Sequence, residues 1–128
     1  MTEIASRAKR EGWAYQKTFH ALKDAGVSRY RTMVSNQETT YVGNEETCVV
    51  PPASDSKSHQ IAKPFNGRAV QEAIIRHQEN QTPYNDFMEE LANAGVEFCE
   101  VYTDTGAIHY TTGNPLESFV QPVSDVWD

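Results

Sequence analysis

With 128 residues, a formal net charge of −7 and 38% hydrophobic residues, the chain is sized for one compact domain around a single core. No apolar run approaches the ~20 residues of a membrane span, the polar N-terminus lacks a signal-peptide apolar region, and two cysteines without CxxC spacing do not make a disulfide scaffold. The expectation is a cytoplasmic protein with reduced thiols, since a Cys48–Cys99 bridge would require Cα atoms within about 7 Å.

In chain order, Ile4, Ala5 and Ala8 form a weak helical stripe. Tyr15, Phe19 and Leu22 then recur at i, i+4 and i+7, which predicts a helix with one apolar face. Ala25-Gly26-Val27 supplies its stop. Beyond it the period becomes two. Tyr30 and Thr32 are assigned to the core face, with Arg29, Arg31 and Met33 on the opposite one. Ser35-Asn36-Gln37 reads as a turn, Glu38–Val42 as the returning strand and Thr47–Val50 as a short further strand. Pro51 to Lys63 is rich in Pro, Ser, Asp and Lys and reads as a linker or surface loop.

Asn66-Gly67 opens a second helical stripe of Val70, Ala73, Ile74 and His77. Thr82-Pro83 predicts an N-cap followed by proline at the first helical position. Tyr84, Phe87, Met88 and Leu91 carry that helix, and Ala94-Gly95-Val96 stops it, with Leu91 and Val96 placed to close a Schellman motif. Cys99 and Val101 point inward, and Phe98, Glu100 and Tyr102 point outward. Asp104-Thr105-Gly106 turns the chain into Ala107–Thr111, with a last short strand near Glu117–Val120 and a tail that Trp127 would pin.

The two passages are the same text at a 69-residue interval. Tyr15, Phe19, Leu22 and Ala25-Gly26-Val27 return as Tyr84, Met88, Leu91 and Ala94-Gly95-Val96, and Glu3, Arg7 and Tyr41 meet Glu72, Arg76 and Tyr110. After one inserted residue, Gly43-Asn44, Val50 and Pro52 meet Gly113-Asn114, Val120 and Pro122. The expected architecture is α+β: a pseudo-two-fold tandem repeat of helix-helix-hairpin units whose antiparallel sheet carries helices on one face. It forms one domain of 128 residues, with repeats at 1–52 and 67–122, a linker at 53–66 and a tail at 123–128.

The residues Ala69-Val70-Gln71-Glu72-Ala73-Ile74, Tyr84-x-x-Phe87, Ala94-Gly95-Val96 and Tyr110-x-x-Gly113-Asn114 resemble a family of short bacterial and prophage proteins often labelled "phage envelope protein", of the YbcV and YdfO type. The resemblance spans about residues 66–122, and 15–44 more faintly. It implies a phage or prophage setting. Met33 and Tyr102 stand where that family commonly has an acidic residue, and Cys99 stands where it has an aromatic one.

No Walker loop, Gly-x-Ser-x-Gly elbow, His-Glu-x-x-His or EF-hand pattern is present, and His20, His59, His77 and His109 lack metal-ligand spacing. Neither a metal nor a cofactor is expected. His77 reads as a half-buried core imidazole and His20 as a solvated one. Charge is the stronger signal. All 11 Lys and Arg lie in residues 1–76, whereas residues 77–128 hold 10 acids and no Lys or Arg. This disfavours direct nucleic-acid binding by the second half. It suits a non-enzymatic interaction protein that docks a host protein with a basic surface and inhibits it; an anti-defence role is what the phage setting implied by the resemblance adds.

The partner-binding set is Asp86, Glu89, Glu90, Glu97 and Glu100 for charge, with Phe98 and Tyr102 as anchors. A plain solvated acidic face explains the same charges. An uncovered sheet face with Phe98, Tyr102, Met33 and Tyr41 or its neighbours would equally suit a homodimer. A second reading is small-molecule sequestration, in which a dimer cleft holds a nucleotide-like ligand, with Arg29 and Arg31 gripping phosphate, Tyr102 or Phe98 stacking on a base, and His109 beside them. The weakest is hydrolysis by His109 with Glu100.

Overall fold

The computed structural model describes residues 7, 15–43, 47–51, 57–80, 82–114 and 116–122. The first helical stripe (Ile4, Ala5, Ala8), the Tyr15 side chain, Asn44, Pro52 and the tail with Trp127 lie outside the described residues. The elements are α1 (Tyr15–Asp24), β1 (Val27–Met33), β2 (Thr39–Gly43), β3 (Thr47–Val50), α2 (Gly67–Asn80), α3 (Tyr84–Asn93), β4 (Phe98–Tyr102), β5 (Ala107–Thr111) and β6 (Ser118–Pro122).

Periodicity explains the helices. Phe19 and Leu22 of α1, Val70, Ala73 and Ile74 of α2, and Phe87, Met88 and Leu91 of α3 are all buried, and Leu22 and Leu91 are sealed completely. Burying such a side chain contributes about 1.5–3 kcal/mol. Asn66 starts α2, its Oδ1 accepting from the Ala69 N–H at 3.1 Å. The stop of α3 is the Schellman motif: the Val96 N–H donates to the Leu91 carbonyl at 3.0 Å and the Gly95 N–H to that of Ala92 at 3.1 Å. Gly95 has φ +87° and Gly26, at the corresponding stop of α1, has φ +92°.

The start of α3 differs from expectation. Pro83 is the N-cap, with ψ 147°, and no side chain caps the helix. Thr82 is turned away because its hydroxyl sits 2.9 Å from Nδ1 of His77. Carbonyl oxygen of Pro83 instead accepts from the N–H groups of Asp86 and Phe87.

The six strands form one antiparallel sheet in the order β3-β2-β1-β4-β5-β6. Its two central strands come from opposite halves of the chain, pairing Tyr30 with Val101, Arg31 with Glu100 and Thr32 with Cys99. Alternation does the rest. Tyr30, Tyr41, Val101, Ile108 and Tyr110 face the helices and join the core, while Arg29, Arg31, Met33, Phe98, Glu100, Tyr102 and His109 lie on the other face. Tyr41 is therefore a core residue, only 6% exposed, and its neighbours Thr40 and Val42 take the outward positions.

Cys48 and Cys99 are free thiols. They stand on β3 and β4 with two strands between, about 14 Å at the usual strand spacing, too far for a bridge. The linker is less loose than its composition suggests. The Lys57 N–H donates to Oδ1 of Asn85 at 3.1 Å, the Ala62 N–H to the Ala92 carbonyl at 2.9 Å, and the Asn66 N–H to the Ala94 carbonyl at 2.8 Å. Residues 57–66 are thus laced along α3.

Candidate ligand site on the open sheet face

The centre of the uncovered face is an Arg-Glu-Arg group. Glu100 comes from β4 and its outward direction follows from strand alternation, yet its side chain is only 4% exposed. Arg29 and Arg31, two apart on β1 and so on the same face, arch over it. Nη1 of Arg29 donates to Oε1 at 3.0 Å, and Nε and Nη2 of Arg31 donate to Oε2 at 2.9 and 2.7 Å. Burying a lone carboxylate costs several kcal/mol, which these charge-assisted bonds offset. The guanidinium groups keep their outer sides in water, with side-chain exposures of 47% and 44%.

Aromatic groups flank this centre. The Arg31 guanidinium carbon lies 3.9 Å from the centroid of Phe98, a cation–π contact. His109 stands directly across the β4–β5 ladder from Glu100. Its ring meets Tyr102 edge-on, with centroids 5.0 Å apart. Met33 and Phe98 pair at one end of the central ladder and Arg29 and Tyr102 at the other. Among the described residues, Nε and Nη2 of Arg29 and Nη1 of Arg31 make no protein hydrogen bond. The group thus carries two cations against one buried anion, with donors left over for an incoming acceptor.

The expected acidic docking set is not brought together. Asp86 and Glu89 are exposed on α3, in the helix layer. Glu90 is half-buried and bound by Nε of Arg76 at 2.6 Å. Glu97 lies at the start of β4, half-buried, its N–H donating to the Thr111 carbonyl. Glu100 is on the opposite side of the sheet and neutralised by arginine, so it is not an exposed docking charge. Phe98 and Tyr102 share the face of Glu100 and not that of the α3 acids.

His109 and Glu100, the expected proton-transfer pair, are brought together on the open face. The residues are neighbours, but both carboxylate oxygens are engaged by guanidinium donors. The other histidines sit elsewhere. His20 is exposed, and His59 is half-buried in the linker. His77 is half-buried and stacked on Phe87 at 4.4 Å, and desolvation holds its imidazole below the usual histidine range against the opposing pull of Thr82 and Glu90. Among the described residues no group of three His, Cys, Asp or Glu is placed to hold a metal ion, and no helix is long and apolar enough to cross a membrane.

Sequence reasoning found every member of the central group but missed that Glu100 is the buried counter-ion of the two arginines. The signal existed in the alternation of Arg29 and Arg31 with Glu100 on outward positions. What was missing was the pairing of β1 with β4.

Fold and face together define an α+β protein that leaves one side of a six-stranded antiparallel sheet uncovered by the described helices. The chain belongs to a family described as a protein of unknown function, DUF1398, whose match covers residues 3–116. No curated protein shows significant similarity to it.

Proposed function

We propose that the protein is a non-enzymatic binding protein whose open sheet face takes an anionic ligand bearing a planar ring, of the nucleotide kind. The observation that carries this reading is the buried Glu100, which fixes two half-exposed guanidinium groups side by side between aromatic rings. Arg29 and Arg31 meet the phosphate, and Tyr102, braced by His109, offers the ring for stacking. Phe98 is already covered on one side by Arg31 and serves as a support.

Calorimetry with adenosine monophosphate is the test. Saturable binding that weakens at least about tenfold, ~1.4 kcal/mol, in Arg31→Ala supports the reading. Absence of binding, or equal affinity for uncharged adenosine, overturns it.

A second reading keeps a host protein with a basic surface as the partner. It is favoured by the exposed Asp86 and Glu89 and by a 52-residue stretch without a single Lys or Arg. Here the contact is the helix layer alone. A phage or prophage setting, a cytoplasmic site of action and an origin by duplication belong to the same proposal. Duplication is supported by the strand order, which reads outward as hairpin and third strand from either side of β1 and β4.

A further inference from the structure

Val27 and Arg29 are two apart on β1, yet they lie on opposite sides of the sheet. In an unbroken strand residues at that spacing share a face. Val27 is nevertheless a core residue, 2% exposed, while Arg29 and Arg31 both stand on the open face. The register shows how. Val27 pairs with Gly43 and Arg29 with Val42, adjacent partners on β2, so Ser28 is an extra residue on β1. It makes a β-bulge, a device that re-aims the side chains beyond it. The core keeps its valine, and Arg29 still emerges beside Arg31 over Glu100.

A bulge interrupts the ladder, and its carbonyls need donors from elsewhere. One residue supplies them. Thr103, directly after β4 and only 4% exposed, donates its N–H to the Ser28 carbonyl at 3.0 Å. Its hydroxyl reaches the Val27 carbonyl at 2.7 Å and the Ser28 carbonyl at 2.9 Å, sharing one proton between them. The Ser28 hydroxyl ties the other side, donating to the Val42 carbonyl at 3.0 Å. The chain carries its own control. Val34, directly after β1, stands 69 residues before Thr103, and Glu97 stands 69 after Ser28. The Val34 N–H donates to the Glu97 carbonyl at the same 3.0 Å, without a hydroxyl. The residue after Glu97 is Phe98, which has no charge to aim. The hydroxyl clamp is therefore dispensable for the backbone contact and is found where the next residue is an arginine.

We infer that Thr103 is a positioning residue of the open-face site: its hydroxyl clamps the bulge at Ser28 and so sets Arg29 beside Arg31 as the second half of a two-arginine grip. The ligand side of this inference rests on the reading of that face as an anion site. Thr103 is buried and touches no ligand, so it acts through Arg29 alone. Arg29 is also the arginine that a loosened backbone disturbs. It holds Glu100 by one hydrogen bond, whereas Arg31 makes two and is stacked on Phe98.

The test is Thr103→Val, a shape-conserving change to the residue that Val34 already is in the matching backbone setting. Magnetic resonance of the full chain without ligand reads the guanidinium N–H protons. Those of Arg29 should exchange with water at least about threefold faster in the variant, with Arg31 unchanged. Thr103→Ser keeps the hydroxyl and should restore the parent rate. Calorimetry with adenosine monophosphate should show binding at least about threefold weaker in Thr103→Val, with no further loss when Arg29→Ala is added. Adding Arg31→Ala should instead weaken it further. Unchanged Arg29 exchange, equal acceleration at both arginines, or full additivity of Thr103→Val with Arg29→Ala would overturn the inference. If adenosine monophosphate does not bind while Arg29 alone is loosened, the anion-site reading falls and the positioning role of Thr103 stands.

Discussion

Arg31 and Glu100 stand directly opposite each other where β1 meets β4, and they are 69 residues apart, the same interval that separates the two copies of the helix-stop motif. The two central strands therefore meet at residues separated by that same interval. At that point the chain has placed a cation on β1 and an anion on β4. Like charges there would repel across the ladder, whereas this pair is the hub of the open face.

Glu100 should therefore matter to stability as well as to binding. Glu100→Ala leaves two guanidinium groups without their shared acceptor, but each is nearly half exposed and can rehydrate. The expected loss is about 1–2 kcal/mol, below the 3–5 of a fully buried pair. Urea unfolding measures it, and Glu100→Gln should lose less because an amide still accepts one hydrogen bond.

Gly95 and Gly106 make a controlled comparison. Both have positive φ, +87° and +68°. A Cβ on Gly95 would lie 2.7 Å from the Phe65 Cα, whereas at Gly106 nothing lies within 4 Å. Gly106→Ala should cost about 1 kcal/mol from backbone strain alone. Gly95→Ala adds a collision with the linker backbone and should cost at least ~2 kcal/mol. Equal losses in thermal unfolding would show that the linker does not rest on the helix stop.

These two glycines also show how far the sequence can be read. Helical spacing exposed the cores of α1, α2 and α3, because a 3.6 period survives without knowledge of neighbours. The stop at Gly95 was visible as an Ala-Gly-Val motif, but its second duty, admitting Phe65, depends on a contact from 30 residues away. Thr82 looked like a cap until His77 claimed its hydroxyl. The inward and outward faces of β1 and β4 were legible, yet the burial of Glu100 beneath Arg29 and Arg31 was not. Charge counts do not say which carboxylate a distant arginine will cover.

Cys99 gives a test of burial without mutation. Desolvation pushes its thiol up to about 12, so little thiolate exists near neutrality even though the side chain keeps partial access to solvent. Alkylation of Cys99 by iodoacetamide at pH 8 should be at least about tenfold slower in the native protein than in urea. Peptide mapping distinguishes it from Cys48. Rapid native labelling of Cys99 would mean that the core wall is more hydrated than its geometry implies.

His77 sets the pH response at the junction of α2 and α3. Its imidazole is held below the usual value chiefly by desolvation, so near pH 6.5 and below the unfolded chain binds a proton that the folded chain resists. Unfolding is then favoured as pH falls: stability is complete above the unfolded value, declines as pH drops from about 7 toward the folded value, and levels off below it. The depression is opposed by the Thr82 hydrogen bond and by Glu90, itself tied to Arg76, so those groups limit the slope. His77→Phe preserves the stack on Phe87 and removes the titrating group. It should flatten the stability profile between pH 5 and 7 that urea titrations record for the parent chain, at the cost of leaving the Thr82 hydroxyl to solvent. An unchanged slope would assign the acid sensitivity to the carboxylates instead.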